Sequence, residues 1–246
     1  MNRRKFVNAI GKSIILLNVL PHLLPYLSKS KKDFLMGKSK NSHFKKIGNH
    51  YLEKQTALHF QKMQKAALND GIQIQLVSAF RSFSRQKEIF ESKFLEFQNS
   101  NTNQLEAIQQ ITKYSSIPGT SRHHWGTDVD VIQFHESNKH NQHVLNPSYF
   151  EKGGIFSDLH NWMQEHAASF GFYLTYTKDE NRTGYQYEPW HYSYLPKAKP
   201  YLEEYLSQDM EQELISEQIE GLQNLDVGFF EKYISDYVLG INSDLK

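Results

Sequence analysis

The chain has 246 residues, with 28 Lys and Arg against 27 Asp and Glu, and it has no cysteine. That length suits one ordinary domain with extensions, and the balanced charge gives no electrostatic footing for nucleic acid as a partner. Without cysteine there are no disulfides and no thiolate ligands, so a strong metal site has to be built from His, Asp and Glu.

Residues 1–30 read as an export signal or an N-terminal anchor. Arg3, Arg4 and Lys5 precede an apolar run shorter than a membrane span requires, so no stable span is expected unless this segment stays uncleaved. The paired arginines before Phe6 and Val7 resemble the start of a twin-arginine signal, which places the protein in the periplasm or cell envelope. Asn18, Pro21, His22 and Pro25 interrupt the run, and a buried first helix of a cytoplasmic protein is the alternative.

Residues 31–48 are a Lys/Ser-rich linker, and the folded domain is expected over 49–199. From Asn49 to Leu68 the pattern is helical, with Leu52, Met63 and Ala66 or Ala67 on one side and Asn69-Asp70-Gly71 closing it. "IQIQLVS" alternates Ile72, Ile74 and Leu76 with polar residues, as a half-buried strand does. Ser84 is the expected N-cap of a helix carrying Ile89, Phe90, Phe94 and Phe97, and Thr102 that of another with Leu105, Ile108 and Ile111 inward. "SSIPGTS" is loop and "TDVDVIQF" a strand. After a polar surface stretch at 135–154, a helix near Phe156 to Phe170 buries Leu159, Trp162, Met163 and Phe170 and ends at Gly171. "FYLTY" and "YQYEPWHYSY" flank an Asn/Gly-containing turn as a β-hairpin. The order of elements is that of an α+β protein, a small antiparallel sheet flanked by helices, with residues 200–246 as an acidic helical C-terminal extension.

The chemistry concentrates in "SRHHWGTDVD", residues 121–130. Alternate strand residues share a face, so Asp128 and Asp130 point one way while Val129 and Val131 face the core. Gly126 lets the chain bend sharply, so that His123 or His124 could reach a common ion with Asp130. A hydrolytic zinc site takes three protein ligands and leaves a fourth position for water. "EPWH" offers the third ligand in His191, with Glu188 three residues earlier as a general base.

Ser121-x-His123-x-x-Gly126 with Asp130, then Glu188-x-Trp190-His191, resembles the signature of the LAS zinc peptidases. The resemblance is to the branch of D-alanyl-D-alanine carboxypeptidases that includes the vancomycin-resistance enzymes. "SAFRSFSRQ" is a third match, through Arg81 and Gln86, and the likeness spans roughly residues 50–195. It implies that His123, Asp130 and His191 bind one Zn²⁺, that Glu188 activates water, and that His124 is not a ligand. It further implies that Arg81 stabilises the oxyanion or grips a terminal carboxylate, and that Gln86 and Ser121 line the same pocket. The implied substrates are peptidoglycan stem peptides, cut at the terminal D-alanine. An endopeptidase cutting an L,D or D,D bond and a catalytically silent, zinc-containing wall-binding module are the alternatives, and Glu188 separates the last from the others because a structural site needs no base. The family usually has a small residue, often Ala, where this chain has Asp128. That residue could orient a ligand histidine or alter substrate preference through its charge.

Overall fold

The computed structural model describes residues 29–39, 43–135 and 144–246. The expected signal falls on residues outside this set, apart from its last two positions. Strands β1 (Phe44–Ile47) and β2 (His50–Glu53) pair antiparallel and lead directly into helix α1 (Lys54–Asn69). The expectation of helix from Asn49 is therefore corrected at its start. Glu53 is the N-cap, its carboxylate accepting from the amides of Gln55 and Thr56, and the residues before it find a strand partner inside the expected linker. Along α1, Ala57, Phe60, Met63 and Ala67 recur at helical spacing and are buried.

The main sheet comprises β3 (Ile74–Ser78), β4 (Asp128–Gln133), β5 (Phe172–Leu174) and β6 (His191–Tyr194), all antiparallel, in the order β3-β4-β6-β5. The α+β reading holds. The hairpin expected near the C-terminal end of the domain pairs Phe172 with Tyr194 and Leu174 with Tyr192, but β6 begins only at His191. Pro189 has no N–H to donate to a ladder, and residues 175–190 form a long connection instead of a tight turn.

Helix α2 (Phe83–Asn99) is capped by Ser82, whose hydroxyl accepts from the Arg85 amide at 3.2 Å, and α3 (Gln104–Ile111) by Asn103. Both starts differ by one or two residues from the expected Ser84 and Thr102. Phe83 is itself buried, which draws the first turn of α2 into the core, and Leu105 is exposed because Ala107, Ile108 and Ile111 make the inward face of α3. Helix α4 (Ser157–His166) buries Leu159, Trp162 and Met163, and a further turn brings the chain to Gly171 at φ 85°.

Two apolar clusters flank the sheet. One joins α1 and α4 to Val129, Val131, Tyr192 and Tyr194. The other gathers Phe90, Phe94, Ile108 and Trp125 with residues expected to lie outside the domain: Leu35 and Met36 from the linker, and Leu202, Tyr205, Met210, Phe230 and Tyr233 from α5 (Leu195–Leu206), α6 (Met210–Ser216) and α7 (Val227–Tyr233). The Trp125 indole also donates to the Leu35 carbonyl at 3.1 Å. Linker and extension thus pack as core; acidic side chains mark the outer faces of these helices, and their inner faces are apolar. Each buried side chain of this size is worth about 1.5–3 kcal/mol, and a domain has only about 5–15 kcal/mol in hand. A chain ending at residue 199 is therefore expected to lose cooperative thermal unfolding by circular dichroism; a sharp transition within a few degrees of the full chain would contradict this packing.

Candidate metal centre and active site

Strand register assembles most of the site. On β4 and β6, Asp130 lies opposite His191 and Asp128 opposite Ser193, while Ser78 of β3 lies opposite Asp130 on the other side. Directly opposed residues have Cβ atoms about 5 Å apart, so the carboxylate and the imidazole meet without help from a loop. The alternate residues Val129, Val131, Tyr192 and Tyr194 face the apolar cluster beneath.

His123 arrives from a single helical turn, Arg122–Trp125, closed by Gly126 in the left-handed conformation at φ 68°. A side chain at Gly126 would be strained by that φ, and its Cβ would come within 2.6 Å of the Phe44 ring and 2.9 Å of the Glu53 amide nitrogen. His123 Nδ1 lies 2.8 Å from the Ala79 carbonyl. A carbonyl can only accept, so Nδ1 carries the proton and Nε2 is free to ligate. Nε2 is 3.3 Å from Asp130 Oδ2, and His191 Nδ1 is 3.5 Å from Asp130 Oδ1. Ligand atoms of His123, Asp130 and His191 lie within 4.8 Å of one another, and all three residues are buried. Asp130 Oδ1 is buried with no hydrogen-bond partner, an arrangement that a cation bound to the trio would satisfy.

His124 is placed differently. Its Nδ1 donates to the Arg81 carbonyl at 2.6 Å and its Nε2 accepts from the Gly119 amide at 3.0 Å, which uses both nitrogens. Burial pulls its pKa down to about 3, so it is a neutral structural imidazole.

Glu188 Oε2 is 3.1 Å from His191 Nδ1, beside the trio and not part of it. Burial pushes its carboxyl above the usual range, although His191 opposes the shift. Burial would also raise Asp130, but His123, His191 and Arg81 outweigh it and hold that carboxyl low. For His191, burial is overcome by the hydrogen bonds to Asp128 and Glu188, and its pKa is pushed up to about 10.

These groups line a cavity of about 440 Å³ together with Arg81, Ser121, Tyr176, Tyr185 and Trp190. Arg81 follows β3, and its guanidinium is held by Gln86 Oε1 at 2.8 Å and Ser78 Oγ at 3.0 Å. Gln86 is wholly buried behind Arg81 and forms no part of the wall; its amide donates to the Ser116 carbonyl at 2.7 Å. It therefore bears on a substrate only through Arg81. Trp190 both lines the cavity and packs into the core against Phe150.

Several neighbours carried no motif. Tyr176 stands edge-on to the His191 ring at 4.8 Å between centroids, and the Tyr185 hydroxyl lies 2.8 Å from that of Tyr233 on α7. Arg122 is buried, with Nε 3.0 Å from Asp128 Oδ2. Its only sequence signal was a position between Ser121 and His123.

Residues 49–197 match the family model described as "VanY: D-alanyl-D-alanine carboxypeptidase". YodJ of Bacillus subtilis (strain 168), provisionally named a carboxypeptidase, is 32% identical over 153 residues, 62% of this chain and 49% of its own length. Among solved structures, VanYB in complex with D-alanine-D-alanine is similar with a TM-score of 0.51 at 25% identity, over 70% of this chain and 91% of that one. The LdcB LD-carboxypeptidase is similar with a TM-score of 0.50 at 28% identity, over 64% of this chain and 70% of that one. The chain spans about half the length of YodJ and of the D-alanyl-D-alanine carboxypeptidases of Enterococcus faecalis and Enterococcus faecium that it matches.

A metal at His191 Nδ1 competes with the proton that Glu188 holds on that nitrogen, while Asp128 keeps the one on Nε2, so uptake releases the Nδ1 proton at any pH below about 10. Apparent affinity is expected to rise with pH, about tenfold per unit through the neutral range. Calorimetry in buffers of different ionisation enthalpy measures both quantities, and uptake without proton release would contradict the arrangement.

Proposed function

The chain belongs to the VanY family of D-alanyl-D-alanine carboxypeptidases, and we propose from that premise that it is a zinc-dependent peptidase removing the terminal D-alanine of peptidoglycan stem peptides. The observation that carries the reading is a buried, non-ligating Glu188 beside a trio of two imidazoles and one carboxylate, all opening on one cavity. A closed structural zinc site would use a fourth ligand and have no use for a base.

His123, Asp130 and His191 would hold the zinc. Nitrogen and oxygen donors suit that ion, which when bound polarises a scissile carbonyl and eases deprotonation of water. Glu188 accepts the proton of the attacking water and returns it to the leaving amine. Its raised pKa brings it nearer to the operating pH, where such a shuttle works best. Arg81 is the one Arg or Lys on the cavity wall among the described residues, and Gln86 and Ser78 hold its guanidinium in place. A fixed guanidinium offers a charge-assisted fork to the terminal carboxylate of a stem peptide or to the developing oxyanion. A carboxypeptidase, which must recognise a free chain end, has use for that single cation; an endopeptidase has none at the chain end. The likeness to LdcB keeps an L,D bond as the second reading.

The substrate lies in the cell wall, and Arg3, Arg4 and the apolar run that follows support export to the envelope. No helix of the described residues is long and apolar enough to cross a membrane.

Incubating the protein with muropeptides and weighing the products by mass spectrometry is expected to show loss of one D-alanine from pentapeptide stems. Release of an internal fragment would favour the endopeptidase, and a zinc-loaded protein that cleaves nothing would favour the silent module. Glu188→Ala is expected to keep one zinc per chain while hydrolysis falls by about a hundredfold or more. His191→Ala should lose both zinc and hydrolysis, and chelation should abolish activity that added Zn²⁺ restores.

A further inference from the structure

We propose that Asp128, anchored by Arg122 and Ser193, is a positioning residue for His191: it accepts the Nε2 proton of the ring and thereby presents Nδ1 to the metal. The proposal rests on the zinc reading of the site given above.

Asp128 Oδ2 lies 2.9 Å from His191 Nε2 and 3.0 Å from Arg122 Nε. Its Oδ1 accepts from Ser193 Oγ at 2.7 Å and from Thr127 Oγ1 at 2.9 Å. Each oxygen therefore has two partners, which fills the accepting capacity of a carboxylate. Since an ionised carboxylate cannot donate, the bond to His191 requires the proton on Nε2 and leaves Nδ1, which faces Asp130 and Glu188, as the nitrogen that would give up its proton to a metal. Arg122 is secured in turn: its Nη2 donates to Ser193 Oγ at 2.7 Å, and the guanidinium sits 5.0 Å from the Trp125 ring centroid.

The same facts exclude a direct effect of Asp128 on substrate charge. Its side chain is fully buried, it is absent from the cavity wall, and its charge is neutralised by Arg122 at ion-pair distance. What reaches the site is the orientation and tautomer of one imidazole. A carboxylate behind a ligating histidine fixes the ring and raises its basicity, and removing such a partner costs about 10–100-fold in metal affinity.

The test is zinc affinity of the full chain by competition with a chelator. Asp128→Ala alone would strand a buried guanidinium, so the informative variant is the double Arg122→Leu/Asp128→Ala, which removes the charge pair together. It is expected to bind zinc about 10–100-fold more weakly, whereas Asp128→Asn, which keeps an acceptor oxygen, should recover most of that loss. A folded double variant with parental affinity overturns the proposal. Nitrogen-15 spectra of histidine-labelled wild-type protein decide the matter without any variant: zinc-loaded His191 should be coordinated through Nδ1 and protonated on Nε2. Coordination through Nε2 overturns the role of Asp128 alone, whereas wild-type protein that takes up no zinc overturns the site reading as well.

Discussion

Asp128, Asp130 and Glu188 are all buried around His191, and an ionised carboxylate out of water costs several kcal/mol unless cations or hydrogen-bond donors replace its hydration. Against these three negative groups stand two guanidinium groups, Arg81 on the cavity wall and Arg122 beneath it. The shortfall of one positive charge is met by a proton on His191. This imbalance explains why Asp130 keeps a buried oxygen without a hydrogen bond, and why Glu188 can stay close to the metal ligands while remaining the more basic carboxylate. The groups differ in role because they differ in partners. Asp128 is saturated, Asp130 is half-satisfied, and Glu188 has only His191.

Holding that charge in place requires a stiff frame, and the central strand β4 provides it. Flanked by β3 and β6, it fixes Asp128 and Asp130 through backbone pairing, so the functional face inherits the precision of the sheet. The segment beyond residue 197, outside the family match, extends this frame. Tyr233 on α7 presents its hydroxyl both to Tyr185 on the cavity wall and to the amide of Ile117. Residues that look peripheral in the chain thus set one side of the cavity.

Much of this was legible without coordinates. The alternation in "TDVDVIQF" is a local property, and it correctly places Asp128 and Asp130 on the face opposite Val129 and Val131. The helical spacing of Leu159, Trp162 and Met163, with Gly171 as a stop, is equally local. Where local reading failed, a partner outside the segment being read was responsible. His50–Glu53 is a strand because Phe44–Ile47 lies beside it. The extension over 200–246 is core because its apolar side meets α2, α3 and Leu35. The expected role of Gln86 at the pocket became a hydrogen bond to Arg81 because α2 points that side chain inward.

Residue identity and local spacing, which depend on backbone geometry within a few residues, offered Asp130 with either His123 or His124, and Glu188 with His191; the resemblance to the LAS peptidases joined the two motifs and chose His123. Which nitrogen of each ring faces the trio, what neutralises Asp128, and which parts of the chain close the cavity depend on strand register and on contacts between distant segments, as between Ile117 and Tyr233, 116 residues apart. Those contacts are decided by how the whole apolar surface is buried at once, and no window of sequence contains that information.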